Sequence, residues 1–322
     1  GHAEWDGFFH HDTIFPLFLF IAGISFPFSL AKQREKEIGE RSIYTKVIRR
    51  GLTLVALGLV YNGLFNLDFA TLRLPSVLGR IGLAWMFAAM LFIRFGIRTR
   101  IAIAAGILVG YGLLLQFVGA PDAAGAGPLT EAGNIVGYID RTIMPAHLYG
   151  NRGFDPEGLL STLPAIVTAM LGMFTGEFVR RSEEQVSGSR KALRMAAGAA
   201  VLLVLALCLD PLQPVNKKLW TPAFVFAAGA YSLGMFALFY YIIDVRQWRR
   251  WSYFFQVIGL NSITIYMLQR IVRVSYTSEF FFGGLASKFS PEVASVIFSA
   301  GYVTVCWLLL RFLDRKKIYL KV

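Results

Sequence analysis

The chain has 322 residues, of which 56% are hydrophobic and 16% charged, with 28 phenylalanines and a formal net charge of +12. Ordinary soluble domains carry roughly 25% charged residues, so the composition excludes two soluble domains; the many aromatics exclude a disordered chain. Cys208 and Cys306 lie far apart in apolar runs, which argues against a disulfide framework and a cysteine-based zinc site. The positive charge falls in short clusters between apolar runs, the pattern of cytoplasmic loops, so no nucleic-acid partner is expected. What remains is an all-α polytopic transmembrane bundle, read as a single domain over 1–322.

In chain order, nine apolar segments stand out: 13–31, 47–65, 77–95, 101–118, 159–179, 192–209, 222–243, 253–269 and 293–313. Each is close to the roughly 20 residues that a helix needs to cross the hydrocarbon of a bilayer. The polar stretch 1–12 precedes the first. Arg80 sits near the outer end of the third. Gly106 and Gly110 in the fourth form a GxxxG pair, read as a site of close helix packing. The segment 119–158 is the longest connection and is read as an outer loop, flexible over 120–133 and functional over 137–158. Asn261, Ser262 and Thr264 place polar groups inside the eighth segment.

Twenty-three of the 32 basic residues fall on one set of loops and nine on the other. The positive-inside rule makes the richer set cytoplasmic. Residues 1–12, 66–76, 119–158, 210–221 and 270–292 then face outward, and the C-terminus faces inward. Trp5, Trp220, Trp248 and Trp251 fall at span ends and suit an aromatic anchoring belt. The chain opens on Gly1 with no signal-like start, and a further span before it is expected, making ten or more.

All four histidines, His2, His10, His11 and His147, lie on the outer side, as do twelve of the 20 acidic residues. Groups able to act as acid, base or nucleophile near neutral pH thus collect outside, over a basic inner face. His10-His11-Asp12 looks like a metal cluster, but adjacent residues do not share a helix face and no ligand spacing supports it, so no metal is expected. Arg80, ionisable at membrane depth, is either a functional site or a side chain reaching for the headgroups. Asn261 and Ser262 either bond to neighbouring helices or line a substrate path. Asn216-Lys217-Lys218 either holds an anion or is a solvated turn.

Several stretches together resemble the heparan-α-glucosaminide N-acetyltransferase family. They are His2-Ala3-Glu4-Trp5-Asp6-Gly7, Asp12-Thr13-Ile14-Phe15-Pro16, Arg73-Leu74-Pro75-Ser76-Val77-Leu78-Gly79-Arg80-Ile81-Gly82, Gly137-Tyr138-Ile139-Asp140-Arg141, Asp155-Pro156-Glu157-Gly158, Pro214-Val215-Asn216-Lys217-Lys218-Leu219-Trp220 and Leu260-Asn261-Ser262-Ile263. They run in the family's order along the whole chain. The resemblance implies an acyltransferase of a bacterial inner membrane that moves an acetyl group from cytosolic acetyl-CoA to the amine of a terminal glucosamine on the outer side. It implies His2 as the catalytic residue, acting as general base or as acetyl carrier. Trp5, Asp6, Asp12, Asp155, Glu157, Asn216 and Lys217 are then candidates for binding the acceptor, with Trp5 stacking on a sugar ring. Arg80, Asn261 and Ser262 are candidates for the CoA side. Acetyl-CoA is the co-substrate, the bilayer and the amino sugar are the partners, and a homodimer is an open alternative. The rival class is an amino-sugar transporter, which predicts broken helices near the membrane midplane.

Overall fold

The computed structural model describes residues 2–123, 125–151 and 153–320. Its described residues form helices and the loops that join them, with no strand beyond a single bridge between Gly119 and Asn134. The helices are α1 (His10–Glu35), α2 (Glu40–Tyr61), α3 (Val77–Arg94), α4 (Ile97–Phe117), α5 (Ile135–Ile143), α6 (Thr162–Val179), α7 (Gly188–Leu209), α8 (Pro222–Tyr240), α9 (Tyr253–Leu260), α10 (Ser262–Ile271), α11 (Val274–Ala286) and α12 (Pro291–Arg315). The chain divides into two compact units, Gly1–Tyr241 and Ile242–Val322.

Among the described residues seven helices are long and apolar enough to cross a membrane: α1, α3, α4, α6, α7, α8 with its extension to Val245, and α12. The protein is therefore a multi-pass helical bundle, and two of the nine expected spans are not among these seven helices. The segment 47–65 belongs to α2, which starts earlier and carries Lys46, Arg49 and Arg50. Those charges leave an uncharged stretch of about eleven residues, about 16 Å of helix. The segment 253–269 is not one helix. It breaks at Asn261, whose backbone sits at φ −118°, ψ 21°. Its side-chain Nδ2 donates to Val257 O at 3.2 Å, so the amide competes with the helix ladder.

In the first unit, α1 and α6 are central. They pack on each other, α3 and α8 pack on both, α2 packs on α3, α4 on α6, and α7 on α8. The shared core includes Phe15, Leu19, Phe26, Trp85, Met170, Met173, Trp220 and Phe224. Small residues set the closest approach. A Cβ at Gly172 would collide with the Phe20 carbonyl oxygen, and one at Gly176 with that of Ile24. The close-packing pair is thus Gly172 and Gly176. Gly106 and Gly110, expected in that role, have nothing within 4 Å of an added Cβ. Pro16 and Pro27 lie buried inside α1, where neighbouring helices make such interruptions tolerable.

One end of this bundle carries a cap made of 2–9, 62–76, 118–161 and 210–221. The expected loop 119–158 contains α5, whose N-cap Asn134 accepts from Gly137 N at 2.6 Å. Ala120 N donates to Gly133 O at 2.7 Å, so residues 120–133 form a loop closed at its base. The opposite end carries the turns 36–39, 95–96 and 180–187, where Arg100 pairs with Glu177 at 2.9 Å.

In the second unit, α11 and α9 pack against α12. Phe254 stacks on Trp307 at 5.5 Å, and Trp307 Nε1 donates to Phe254 O at 3.2 Å. The stretch 270–292, expected as a loop, is largely α11.

Candidate functional site

The N-terminal stretch folds back over the start of α1. Gly7 makes the turn at φ +126°, a conformation that favours glycine, and its N–H donates to Val215 O at 2.8 Å. This brings His2 to Asp12, in the first turn of α1. His2 Nδ1 lies 2.7 Å from Asp12 Oδ1. The other oxygen, Oδ2, accepts from Phe9 N at 3.1 Å and Ala3 N at 3.3 Å. Asp12 is buried while the His2 side chain is 57% exposed. A carboxylate only accepts, so Nδ1 carries the proton in this contact, which in the neutral form of the ring puts the lone pair on Nε2. Among the described residues Nε2 has no hydrogen-bond partner.

Lys217 completes this corner. Its Nζ is 3.5 Å from Asp12 Oδ1 and 3.4 Å from His2 Nδ1. With Nδ1 donating to Asp12, the ammonium is a neighbour of the ring and its bond is to the carboxylate. Burial pushes the Lys217 pKa below its ordinary value, against the attraction of Asp12 and Glu157, and the charge of Arg80 acts in the same direction as burial. The loop carrying Lys217 is pinned by Asn216, whose Oδ1 accepts from Leu219 N at 2.9 Å and whose Nδ2 donates to Asp6 Oδ1 at 3.0 Å. Lys218 donates to Glu4 O and lies 5.3 Å from the centre of the Trp5 ring. Trp5 Nε1 donates to Leu129 O at 2.9 Å, and the ring meets Phe154 edge-on at 5.3 Å.

A second cluster lies in the cap around Arg73. Its Nε and Nη2 reach Asp155 at 2.8 and 2.6 Å, and Nη2 also reaches Glu157. Asp155 is fully buried, and it further accepts from Tyr149 N and Glu157 N, each at 2.9 Å. Burial opposes the charge on Arg73, yet these bonds and the two carboxylate charges hold its pKa above the ordinary value. Asp140, from α5, accepts from Leu159 N at 3.0 Å and Asp155 N at 3.3 Å. Burial pushes the Asp140 carboxyl up to about 6, opposed by those two bonds, with the charge of Asp155 adding to the rise. Gly158 must be glycine here, since a Cβ would fall on the Asp140 carboxylate.

Arg80, in the first turn of α3, is only 2% exposed. It does not reach for headgroups. Its Nη2 donates to Gly158 O at 3.1 Å and to Ser161 Oγ, and its Cζ stands 5.0 Å from the centre of the Trp220 ring. Trp220, expected in an anchoring belt, is completely buried against Phe15 and Phe224 and donates to Thr168 Oγ1 at 3.2 Å.

Of the sequence candidates, His2, Asp12 and Lys217 come together, with Asp6 and Asn216 supporting the same corner and Trp5 beside it through Lys218. Asp155 and Glu157 are bound to Arg73. Asn261 and Ser262 lie at the α9–α10 break in the second unit. Sequence reasoning gave no role to Arg73 and Asp140, though both fall in the family-like stretches, and missed Tyr111, whose hydroxyl donates to Leu219 O at 2.6 Å. The signal for Arg73 was present: outer cations are few, and outer acids need partners. Among the described residues no three His, Cys, Asp or Glu side chains gather as metal ligands.

No family model matches the chain. It is similar to heparan-alpha-glucosaminide N-acetyltransferase of Homo sapiens, 24% identical over 375 residues, covering all of this chain and 55% of the relative. The Mus musculus protein of the same name is 23% identical over 377 residues, covering all of this chain and 56% of the relative. The chain thus spans about half the length of the curated relatives it matches. These similarities are consistent with a distant, family-level relation to the heparan-alpha-glucosaminide N-acetyltransferases.

Proposed function

We propose that the chain is a membrane-embedded N-acetyltransferase that moves an acetyl group from cytosolic acetyl-CoA to the amine of a glucosamine-type sugar on the outer side. The observation that carries this reading is the His2–Asp12–Lys217 corner: an exposed imidazole with one nitrogen tied to a buried carboxylate and the other free. The relatives' printed name supports acetyl transfer to glucosaminide nitrogen. Orientation in the bacterial inner membrane, with His2 outside and the C-terminus inside, rests on the distribution of basic residues.

In this reading His2 Nε2 removes a proton from the acceptor amine as its nitrogen attacks the thioester carbonyl. The N–C bond forms, the C–S bond breaks, and the proton passes from imidazolium to the departing CoA thiolate. Asp12 holds the ring in its productive tautomer and stabilises the imidazolium. Lys217 supplies positive charge at the same corner. Trp5, Asp6 and Asn216 bound the acceptor side, with Asp155 and Glu157 shaping the cap beneath it. Arg80 is the candidate contact for the donor.

The rival reading, an amino-sugar transporter, is favoured by one observation. At the helix break the buried Oδ1 of Asn261 has no partner among the described residues, as expected of an interrupted helix lining a path. Liposomes holding the purified full-length protein separate the two. With acetyl-CoA inside and glucosamine outside, the enzyme releases free CoA thiol inside and N-acetylglucosamine in equal amount. Uptake of labelled glucosamine in liposomes without CoA, and no thiol release with it, would support the transporter instead.

A further inference from the structure

Arg80 is a buried cation with unused donors. Nη2 uses both of its N–H bonds on Gly158 O and Ser161 Oγ, while Nε and Nη1 have no partner among the described residues. A buried donor left unpaired costs free energy, more so on a charged group. Nearby carboxylates could satisfy it, but each is engaged elsewhere. Asp155 and Glu157 are held by Arg73, and Asp140 by two backbone amides. They act on Arg80 only through space.

The charges in this region decide what kind of oxygen is missing. The carboxylates of Glu157, Asp155 and Asp140 already act on Arg80 through space, so a further full anion beside it would be repelled. The need is for an acceptor oxygen of low charge. The place also suits the chemistry: Arg80 lies where the cap meets the bundle, within electrostatic reach of Lys217, which touches the His2–Asp12 pair. Gly158, Ser161 and the Trp220 face fix the guanidinium, so its free donors are preorganised.

We propose that the free Nε–H and Nη1–H of Arg80 receive the carbonyl oxygen of the donor's acyl group, an assignment that rests on the acyl-CoA reading above. Arg80 then binds the acyl end of the donor and not its phosphates. When the amine attacks, the carbonyl π pair moves onto that oxygen, and the bonds from Arg80 strengthen as its negative charge grows. They relax when the C–S bond breaks and the amide carbonyl re-forms.

The test uses a matched pair of non-transferable donor analogues on the full-length protein. One is the ketone in which a methylene replaces the thioester sulfur. The other is the same molecule with its carbonyl reduced to a methylene. A hydrogen bond from a charged donor is worth about 1.5–3 kcal/mol, so the wild type binds the ketone roughly tenfold or more tighter. Arg80→Met brings the ratio close to one. Ser161→Ala removes an anchor of the guanidinium while keeping its charge, and lowers the ratio partway. The wild-type ratio needs no variant, so a misfolded Arg80→Met does not rescue the idea. Equal binding of the two analogues by the wild type overturns the assignment. So does an Arg80→Met protein that keeps the preference, or one that loses affinity for both analogues equally, which is the signature of a phosphate contact. Failure of the wild type to bind either analogue overturns the acyl-CoA reading itself.

Discussion

Asp12→Asn tests the proposed mechanism at its narrowest point. Asp12 divides its two oxygens: Oδ1 faces His2 at 2.7 Å, and Oδ2 faces Phe9 N and Ala3 N at 3.1 and 3.3 Å. An asparagine has one oxygen and one NH2. Turned to keep both backbone bonds, worth about 1 kcal/mol each, it points its NH2 at His2. Turned the other way it keeps one bond and sets an NH2 against two N–H groups. The first arrangement wins by about the value of one hydrogen bond plus that conflict. His2 Nδ1 must then accept, its proton moves to Nε2, and Nε2 can no longer take a proton from the amine. Loss of a general base typically costs about 10²–10⁴ in rate. The fold loses less, about 1.5–3 kcal/mol for the charge-assisted bond. The assay is thiol release from acetyl-CoA with glucosamine at saturation, with donor affinity measured separately. The expected result is a fall in kcat of at least about a hundredfold with donor affinity unchanged. Turnover within about threefold of wild type, in protein that elutes and melts as the wild type does, would refute the reasoning.

Asp140 makes stability depend on pH in a defined window. Its carboxyl is raised from 3.8 to about 6, so the folded cap holds its proton more tightly than the unfolded chain. The stability this contributes is complete below about 3.8 and is lost as pH rises through about 6, up to about 3 kcal/mol in all; thermal melts across that range should show a slope that Asp140→Asn flattens. Gly172→Ala should destabilise the α1–α6 contact by about 1–3 kcal/mol, since the added carbon meets the Phe20 carbonyl. Gly106→Ala and Gly110→Ala, facing open space, should be neutral or stabilising by up to about 1 kcal/mol; unfolding in detergent compares the three. A cysteine introduced in 119–133 should react with an impermeant thiol reagent in intact spheroplasts, and one in 182–189 should not; the reverse pattern would place His2 on the cytoplasmic side.

The helices were readable because apolar length is written directly in sequence. The errors have separate physical causes. Segment 253–269 looks continuous by hydropathy, but Asn261 bonds back to Val257 O and splits it. A GxxxG pair says that two small residues share a helix face, not that another helix arrives there. Gly106 and Gly110 therefore drew the expectation, while the pair that does pack closely, Gly172 and Gly176, meets a helix, α1, about 150 residues away in sequence. Trp220 sits at a span end, where an anchoring role is the default, yet the turn before α8 carries it into the core. His2 and Asp12 are ten residues apart, and their meeting depends on the turn at Gly7. The Arg73–Asp155 pair spans 82 residues, and only the fold could join it.

The account's central claim is that His2 performs acetyl transfer. The most direct measurement follows CoA thiol and N-acetylglucosamine from acetyl-CoA and glucosamine, using full-length wild type and His2→Ala, with intact mass recorded when the acceptor is omitted. The account predicts coupled products from the wild type, and a loss of about 10²–10⁴ in His2→Ala with CoA binding retained. It also predicts no acetylated protein without acceptor. Near-normal turnover by a correctly inserted His2→Ala protein would contradict it.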